Sequence, residues 1–138
     1  MIRMWAEKEV RNLKRIHDIG GIIPVPYPHY LKNNVIVMDF LGTKDGKAAP
    51  RLRDANLEDW SSAYLQTMLI IRRMYNMCKL VHADLSEYNL LYHDGKVHVI
   101  DVSQAVENDH PMALHFLRRD CSIIRDFFAR KLDRVLTT

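Results

Sequence analysis

Cysteine is nearly absent: Cys78 and Cys121 are the only two in 138 residues, and no CxxC pair occurs. Each falls in an apolar helical pattern, so both read as buried free thiols and not as a disulfide or a zinc site. That usage fits a reducing compartment, and a cytoplasmic location is expected. Long apolar runs are missing too. None approaches the roughly 20 residues that cross a bilayer. The opening MIRMWAEKEV lacks the apolar stretch of a secretory signal, so no membrane partner is expected. Glycine is scarce, with five residues, and none stands in a dinucleotide-binding turn. Charge of one sign is not in large excess. Lys and Arg number 20 and Asp and Glu 17, which leaves +3. That suits a phosphate-bearing ligand but is too weak to indicate direct nucleic-acid contact. Internal repeats and low-complexity segments are also lacking.

Hydrophobic residues make up 48% and charged residues 27%, a globular balance. Residues 2–17 place Ile2, Trp5, Ala6, Leu13 and Ile16 on one stripe at helical spacing, and Gly20-Gly21 ends it. Pro24, Pro26 and Pro28 predict an extended connector. VIVMDF, from Val35 to Phe40, reads as a short strand. Gly42 to Pro50 is turn-rich and polar, the natural hinge or linker. A long helix is predicted over about 56–78, with Asn56 as its N-cap. Leu57, Trp60, Tyr64, Met68, Ile71, Tyr75 and Cys78 would line one face, with Met68, Met74 and Met77 as core filler. Leu90 to Tyr92 and Val97 to Ile100 flank His93-Asp94-Gly95-Lys96, where Asp-Gly predicts a two-residue hairpin turn. The remainder reads as helical from about 111, with Asp109 as cap, Pro111 in the first turn and a break near Asp120. The order is helix, strand, long helix, hairpin, helices, which is an α+β arrangement without βαβ alternation.

Three polar residues surround the hairpin. A two-residue turn pairs residue 92 with 97 and residue 89 with 100, so Asn89 and Asp101 meet at the open end. Asp84 lies in a loop entering the same end. Two carboxylates and an amide oxygen converge there. Hard cations such as Mg²⁺ take oxygen ligands of this kind and complete their shell with water and substrate phosphates. A further acidic group beside the metal can orient or deprotonate a nucleophile.

The string His82-Ala83-Asp84-Leu85-Ser86-Glu87-Tyr88-Asn89 resembles the protein-kinase catalytic loop H-R-D-L-x-x-x-N. Ile100-Asp101-Val102 resembles the strand and metal-binding Asp of D-F-G. Ala83 replaces the loop Arg, and Val102-Ser103 replace Phe-Gly. LVHADLSEYN followed by VIDVSQAVENDHP is similar to the RIO family of atypical kinases, in particular its first subfamily. WAEKEVRNL, VIVMDFLG, AAPRL and FLRRDCSIIRDFF extend the likeness along nearly the whole chain. The resemblance implies a protein-kinase-like fold in two parts. Residues 1–41 would be a reduced N-terminal lobe and hinge, and residues 42–138 the C-terminal catalytic lobe. It implies an ATP- and Mg-dependent phosphotransferase or ATPase that phosphorylates Ser/Thr or itself, with pre-ribosomal small-subunit particles as partners. Asp84 would be the catalytic acid/base; Asn89 and Asp101 would hold the metal on the ATP phosphates. Asp101 itself would be able to accept the γ-phosphoryl group. Met38 would be the gatekeeper of the adenine pocket, and Asp39, Phe40 and Leu41 its hinge. Glu9, in the middle of the first helix's apolar stripe, corresponds to the Glu that pairs with a phosphate-binding Lys. In this chain it is expected to turn to solvent or find a local Arg. His82 would support the loop backbone. Asp120 reads as a plain N-cap, with bracing of the catalytic loop as the alternative, and Arg118-Arg119 and Arg130-Lys131 as solvated faces.

A glycine-rich loop and an early-strand Lys normally precede the Glu-bearing helix. Neither pattern is present before it here. The chain is therefore expected to be a piece of a longer protein, or a shortened product that binds ATP weakly. His110-Pro111 follows Asp101 within ten residues and leaves little room for a peptide-docking activation segment. Two other functions remain open on the residues alone: a small-molecule kinase of the aminoglycoside phosphotransferase kind, and a non-catalytic binding fragment.

Overall fold

The structure, a computed structural model, describes residues 2–33 and 35–137. Helix α1 spans Ile2–His17. Ala6, Leu13 and Ile16 are buried on its inner face together with Glu9 and Asn12, while Trp5 is 45% exposed and drops out of the expected stripe. The Ile2 side chain lies outside the described residues. The Asn12 side-chain N–H₂ donates to the Val102 carbonyl at 2.8 Å, which ties α1 to the segment after Asp101.

The proline-rich stretch is not wholly a connector. Its last part forms strand β1, Pro28–Lys32, antiparallel to β2, Val35–Met38. Proline is tolerated at the first residue of a strand, where its missing N–H interrupts little of the ladder. Asn33 at φ 56° makes the turn between them.

Helix α2 is Trp60–Arg73, shorter than predicted at its start. Asp59, not Asn56, is the N-cap, and its carboxylate accepts the Ser62 N–H at 2.9 Å. Met74–Cys78 continues it as a π-helical turn, closed by Lys79 in the left-handed region at φ 59°. Met74 is core and Met68 packs against it, but Met77 is 48% exposed, so only the first two fill the interior. Strand β3, Leu80–Val81, pairs with β6, Val106–Glu107. The hairpin has the predicted register. β4, Leu90–His93, pairs with β5, Lys96–Val99, Tyr92 opposite Val97, and Asp94 and Gly95 both adopt positive φ in the turn. Helix α3 is one uninterrupted element, Ala113–Thr137. Asp109 and Pro111 lie in the turn before it, and no break occurs at Asp120. Phe127 and Phe128 pack on Trp60, and Phe128 stacks on Tyr64 with ring centroids 5.1 Å apart, so α2 and α3 close the core beneath the hairpin.

Two connectors border the hairpin. Leu52 N–H donates to Leu90 O and Tyr92 N–H to Pro50 O, which lays residues 50–52 along β4. Val99 N–H donates to Pro24 O on the other side. Gly42, just after the hinge, is required to be glycine, because a Cβ there would collide with the Lys47 carbonyl and the Phe40 ring.

Candidate active site

The loop between β3 and β4 is held by α3. The Asp120 carboxylate accepts the Ala83 N–H at 2.9 Å and the Leu85 N–H at 3.1 Å. The Arg119 guanidinium donates to the Ala83 carbonyl and lies over the Phe116 ring. Both backbone groups of Ala83 are thus captured by side chains. That fixes Ala83 at φ 73°, a conformation a non-glycine residue avoids unless its surroundings over-determine it. One expectation is corrected here and one extended: Asp120 is a mid-helix brace and not an N-cap, and Arg119, although exposed, also clamps the loop. Arg130 also departs from a purely solvated role, facing Glu87 at 3.7 Å, and Lys131 lies over the Trp60 ring at 5.1 Å. Burial pushes Asp120 above the usual carboxylate range, and the two N–H donors pull it back. Asp120→Asn places an amide donor against one of those N–H groups. It is expected to cost about 2 kcal/mol, read as a lower urea midpoint with an unchanged slope.

Between the clamped positions Asp84 is exposed. Its N–H donates to His82 Nδ1 at 3.2 Å, so the ring proton sits on Nε2, which donates to the Ile100 carbonyl at 3.0 Å. His82 therefore couples the loop backbone to the strand end that precedes Asp101, a supporting role as expected. The Asn89 side-chain N–H₂ donates to the Asp84 carbonyl at 2.7 Å. This fixes the amide's orientation and turns its oxygen the other way. Ile100 N–H donates to Asn89 O at 3.1 Å, so Asn89 and Asp101 adjoin across the hairpin's open end. Asp101 is exposed and sits at φ 58°. Among the described residues no group of three or more His, Cys, Asp or Glu could hold a metal by itself. The Asn89 amide oxygen and Asp101 offer two hard oxygen donors. That set suits Mg²⁺, which keeps water and phosphate ligands, and is too small for a protein-only cage.

All the other nominated residues line one cleft of about 420 Å³: Glu9, Met38, Asp39, Phe40 and Leu41, with Asp101 at its edge. Pro26, Ala48, Ala49, Arg51, Leu91 and Ile100 complete its wall and were not singled out in the sequence as cleft residues; the small pair in AAPRL was the available signal. The hinge is pinned by its own atoms. Asp39 N–H donates to Tyr27 O and Leu41 O accepts from Ala49 N–H, each at 2.9 Å. Among the described residues neither the Asp39 carbonyl nor the Leu41 N–H is paired, which leaves one acceptor and one donor for a planar edge. The Asp39 side chain is structural. It meets His29 Nε2 at 2.6 Å and accepts the Tyr27 N–H at 3.0 Å. The His29 hydrogen bond holds its carboxyl below the usual range.

Glu9 departs from expectation. It is 5% exposed and so not turned to solvent, and among the described residues it is not paired with an Arg and one carboxylate oxygen has no partner. Burial, more than the nearby Asp101 charge, raises its pKa from 4.5 to about 7, against the pull of the Val102 and Ser103 N–H groups.

The sequence matches the RIO domain family over residues 1–138. The chain belongs to the RIO family. The serine/threonine-protein kinase RIO1 of Caenorhabditis elegans is 58% identical over 130 residues, which cover 93% of this chain and 25% of that protein. The human RIO1 kinase is 50% identical over 139 residues, 99% of this chain and 24% of that protein. The chain thus spans about a quarter of these curated relatives' length. In structure it resembles a Rio2 kinase from Chaetomium thermophilum, solved as an ADP/Mg²⁺-phosphoaspartate complex. The TM-score is 0.81 at 28% identity, over 96% of this chain and 40% of that one. The fold is accordingly that of the protein-kinase-like RIO domain, α+β as expected. Membership of the RIO family displaces the aminoglycoside phosphotransferase reading. Among the described residues no helix is long and apolar enough to cross a membrane.

Proposed function

We propose that this chain forms the catalytic part of an ATP- and Mg²⁺-dependent RIO phosphotransferase or ATPase, with residues 1–41 as N-terminal lobe and hinge and 42–138 as catalytic lobe. The observation that carries the reading is the hinge. Among the described residues a donor on Leu41 and an acceptor on Asp39 stand unpaired at a cleft that Asp101 also lines. An adenine edge presents the matching acceptor and donor. Asn89 and Asp101 would hold Mg²⁺, which when bound neutralises charge on the phosphate oxygens. An Asp101 carboxylate oxygen forms a bond to the γ-phosphorus while the bond from that phosphorus to the β–γ bridging oxygen breaks, and ADP leaves. Asp84 then takes the proton of a water or a Ser/Thr hydroxyl whose oxygen attacks the acyl phosphate, and Asp101 departs as carboxylate. The phosphoaspartate named for the Chaetomium Rio2 complex supports this assignment. The family resemblance further supports action on pre-ribosomal small-subunit particles in the cytoplasm.

The test is chemical. The protein, extended upstream to include a phosphate-covering loop, is incubated with γ-labelled ATP and Mg²⁺, denatured and treated with hydroxylamine, which cleaves acyl phosphates. Label is expected to be hydroxylamine-labile and absent in Asp101→Ala. Resistant label, or label persisting in that variant, would put the phosphate elsewhere. The 138-residue chain alone is expected to bind ATP more weakly than low-micromolar, since hinge and metal contacts act there without a glycine-rich loop.

A further inference from the structure

Asp84 does not line the hinge cleft. It lines a second opening of about 520 Å³, with Ala83, Gln104, Val106, His110, Phe116 and Arg119. Val106 and His110 also belong to an adjoining groove of about 610 Å³ beneath α1, where Lys8, Arg11 and Arg15 stand. The two openings therefore form one track leading away from Asp84. Its charges are not equivalent. Arg15 is tied to Glu107 through two hydrogen bonds of 2.6 and 2.8 Å, and Arg119 is held on the Ala83 carbonyl and the Phe116 ring. Lys8 and Arg11 are exposed, and among the described residues neither has a carboxylate within ion-pair distance. Asp109 is the other carboxylate on the wall of the α1 groove.

We propose that this track is the phosphoacceptor groove and that it takes an acidic protein segment. The Ser or Thr hydroxyl lies at Asp84, and carboxylate or phosphorylated side chains of the same segment lie at Lys8 and Arg11. The proposal rests on the kinase reading of Asp84 and adds the class of substrate. Two cations outside close ion pairs, Lys8 and the Arg11 that acts on Glu107 only through space, suit a few side-chain charges. A nucleic-acid backbone, with a charge at every phosphate, would need more cations than these two. Val106 and Phe116 add apolar contact that a peptide side chain uses and a phosphate backbone does not.

The experiment is fluorescence anisotropy on the full chain. The probes are a labelled Ser peptide flanked by Glu and Asp, the same peptide with Gln and Asn, and a single-stranded RNA of equal charge. Binding of AMP-PNP with Mg²⁺ is measured in parallel. The acidic peptide is expected to bind at least about tenfold more tightly than the amide peptide, and Lys8→Ala with Arg11→Ala to erase that preference. Lys8→Glu with Arg11→Glu should shift the preference to a Lys-flanked Ser peptide, with AMP-PNP affinity unchanged in both double variants. Equal binding of acidic and amide peptides, or an undiminished preference in the double alanine variant, would overturn the proposal. So would RNA that displaces the peptide at lower concentration. Failure of the kinase reading would appear separately, as absent AMP-PNP binding by the unsubstituted protein extended upstream to include a phosphate-covering loop.

Discussion

Asp84→Asn is expected to lower phosphoryl transfer about a thousandfold, some 4 kcal/mol of barrier, while nucleotide affinity stays nearly unchanged. The substitution is close to isosteric and removes only the ability to accept a proton. The surrounding geometry does not depend on the carboxylate. Asn89 bonds to the Asp84 backbone carbonyl, and His82 accepts the Asp84 N–H. Asp120 and Arg119 hold the neighbouring backbone through Ala83 and Leu85. The hinge cleft lies apart, lined by Met38 to Leu41, Glu9 and Asp101. Single-turnover transfer and calorimetric nucleotide titration separate the two quantities. Affinity that falls in step with turnover would mean that Asp84 binds nucleotide or metal, and the proton-transfer role would be lost.

Stability of the wild-type chain is expected to decline as pH rises from about 5 to 8, and Glu9→Gln to abolish most of that decline. The sign follows from where the proton resides. The folded Glu9 carboxyl titrates near 7 and the unfolded one near 4.5. Between those values the native state keeps a proton that the unfolded chain has released, so each increment of pH favours unfolding. The contribution is fully present below pH 4.5 and gone above about 7. The difference in pKa corresponds to about 3 kcal/mol by pH 8. Glutamine mimics the protonated acid and should make the variant the more stable protein at pH 8, with little difference at pH 5. Urea midpoints of both proteins at the two pH values check this. Parallel pH profiles would show that Glu9 is solvated. An ammonium group brought to the orphan carboxylate oxygen would reverse the preference and hold Glu9 charged, which is the arrangement that the position of this Glu in kinases implies.

The candidate site could be nominated from the sequence because its parts are local. Asp84, Asn89 and Asp101 fall within one loop and one hairpin, and Asp94-Gly95 fixes the register that brings the last two together. The supports on α3 were legible only as the second reading of Asp120, and not at all for Arg119. Asp120 and Arg119 act on a loop some 35 residues earlier in sequence. A polar residue in a helical stretch resembles a cap until the packing of that helix is known. Asn56 and Asp59 are three residues apart, and both have side chains that cap helices well. Only the position of Trp60 against Phe127 and Phe128 selects the second. Strand β1 was hidden by its prolines, since a two-stranded ribbon tolerates one at its start that a central strand would not. The burial of Glu9 without a cationic partner could not be read from helical spacing, which locates the face of a helix but not what stands opposite it.

The capture of Ala83 and Leu85 by two adjacent residues of α3 also determines the order in which the molecule can come apart. Amides in an exposed loop ordinarily exchange with solvent through small local openings. Here the Ala83 and Leu85 amides are released only when the segment carrying Asp120 separates from the loop, and that segment is one helix with the buried Ile124, Phe127 and Phe128. The Asp84 loop is therefore expected to belong to the same cooperative unit as the α2–α3 core, although it makes no regular secondary structure of its own. The β1–β2 ribbon, with Tyr30, Val35 and Val37 open to water, is expected to open more readily and to fray without disturbing Asp84. The Met38–Leu41 side of the cleft and the Asp84 loop are thereby expected to have different opening free energies. Under mild denaturation the Met38–Leu41 side of the cleft would be lost first, while the Asp84 loop kept its shape.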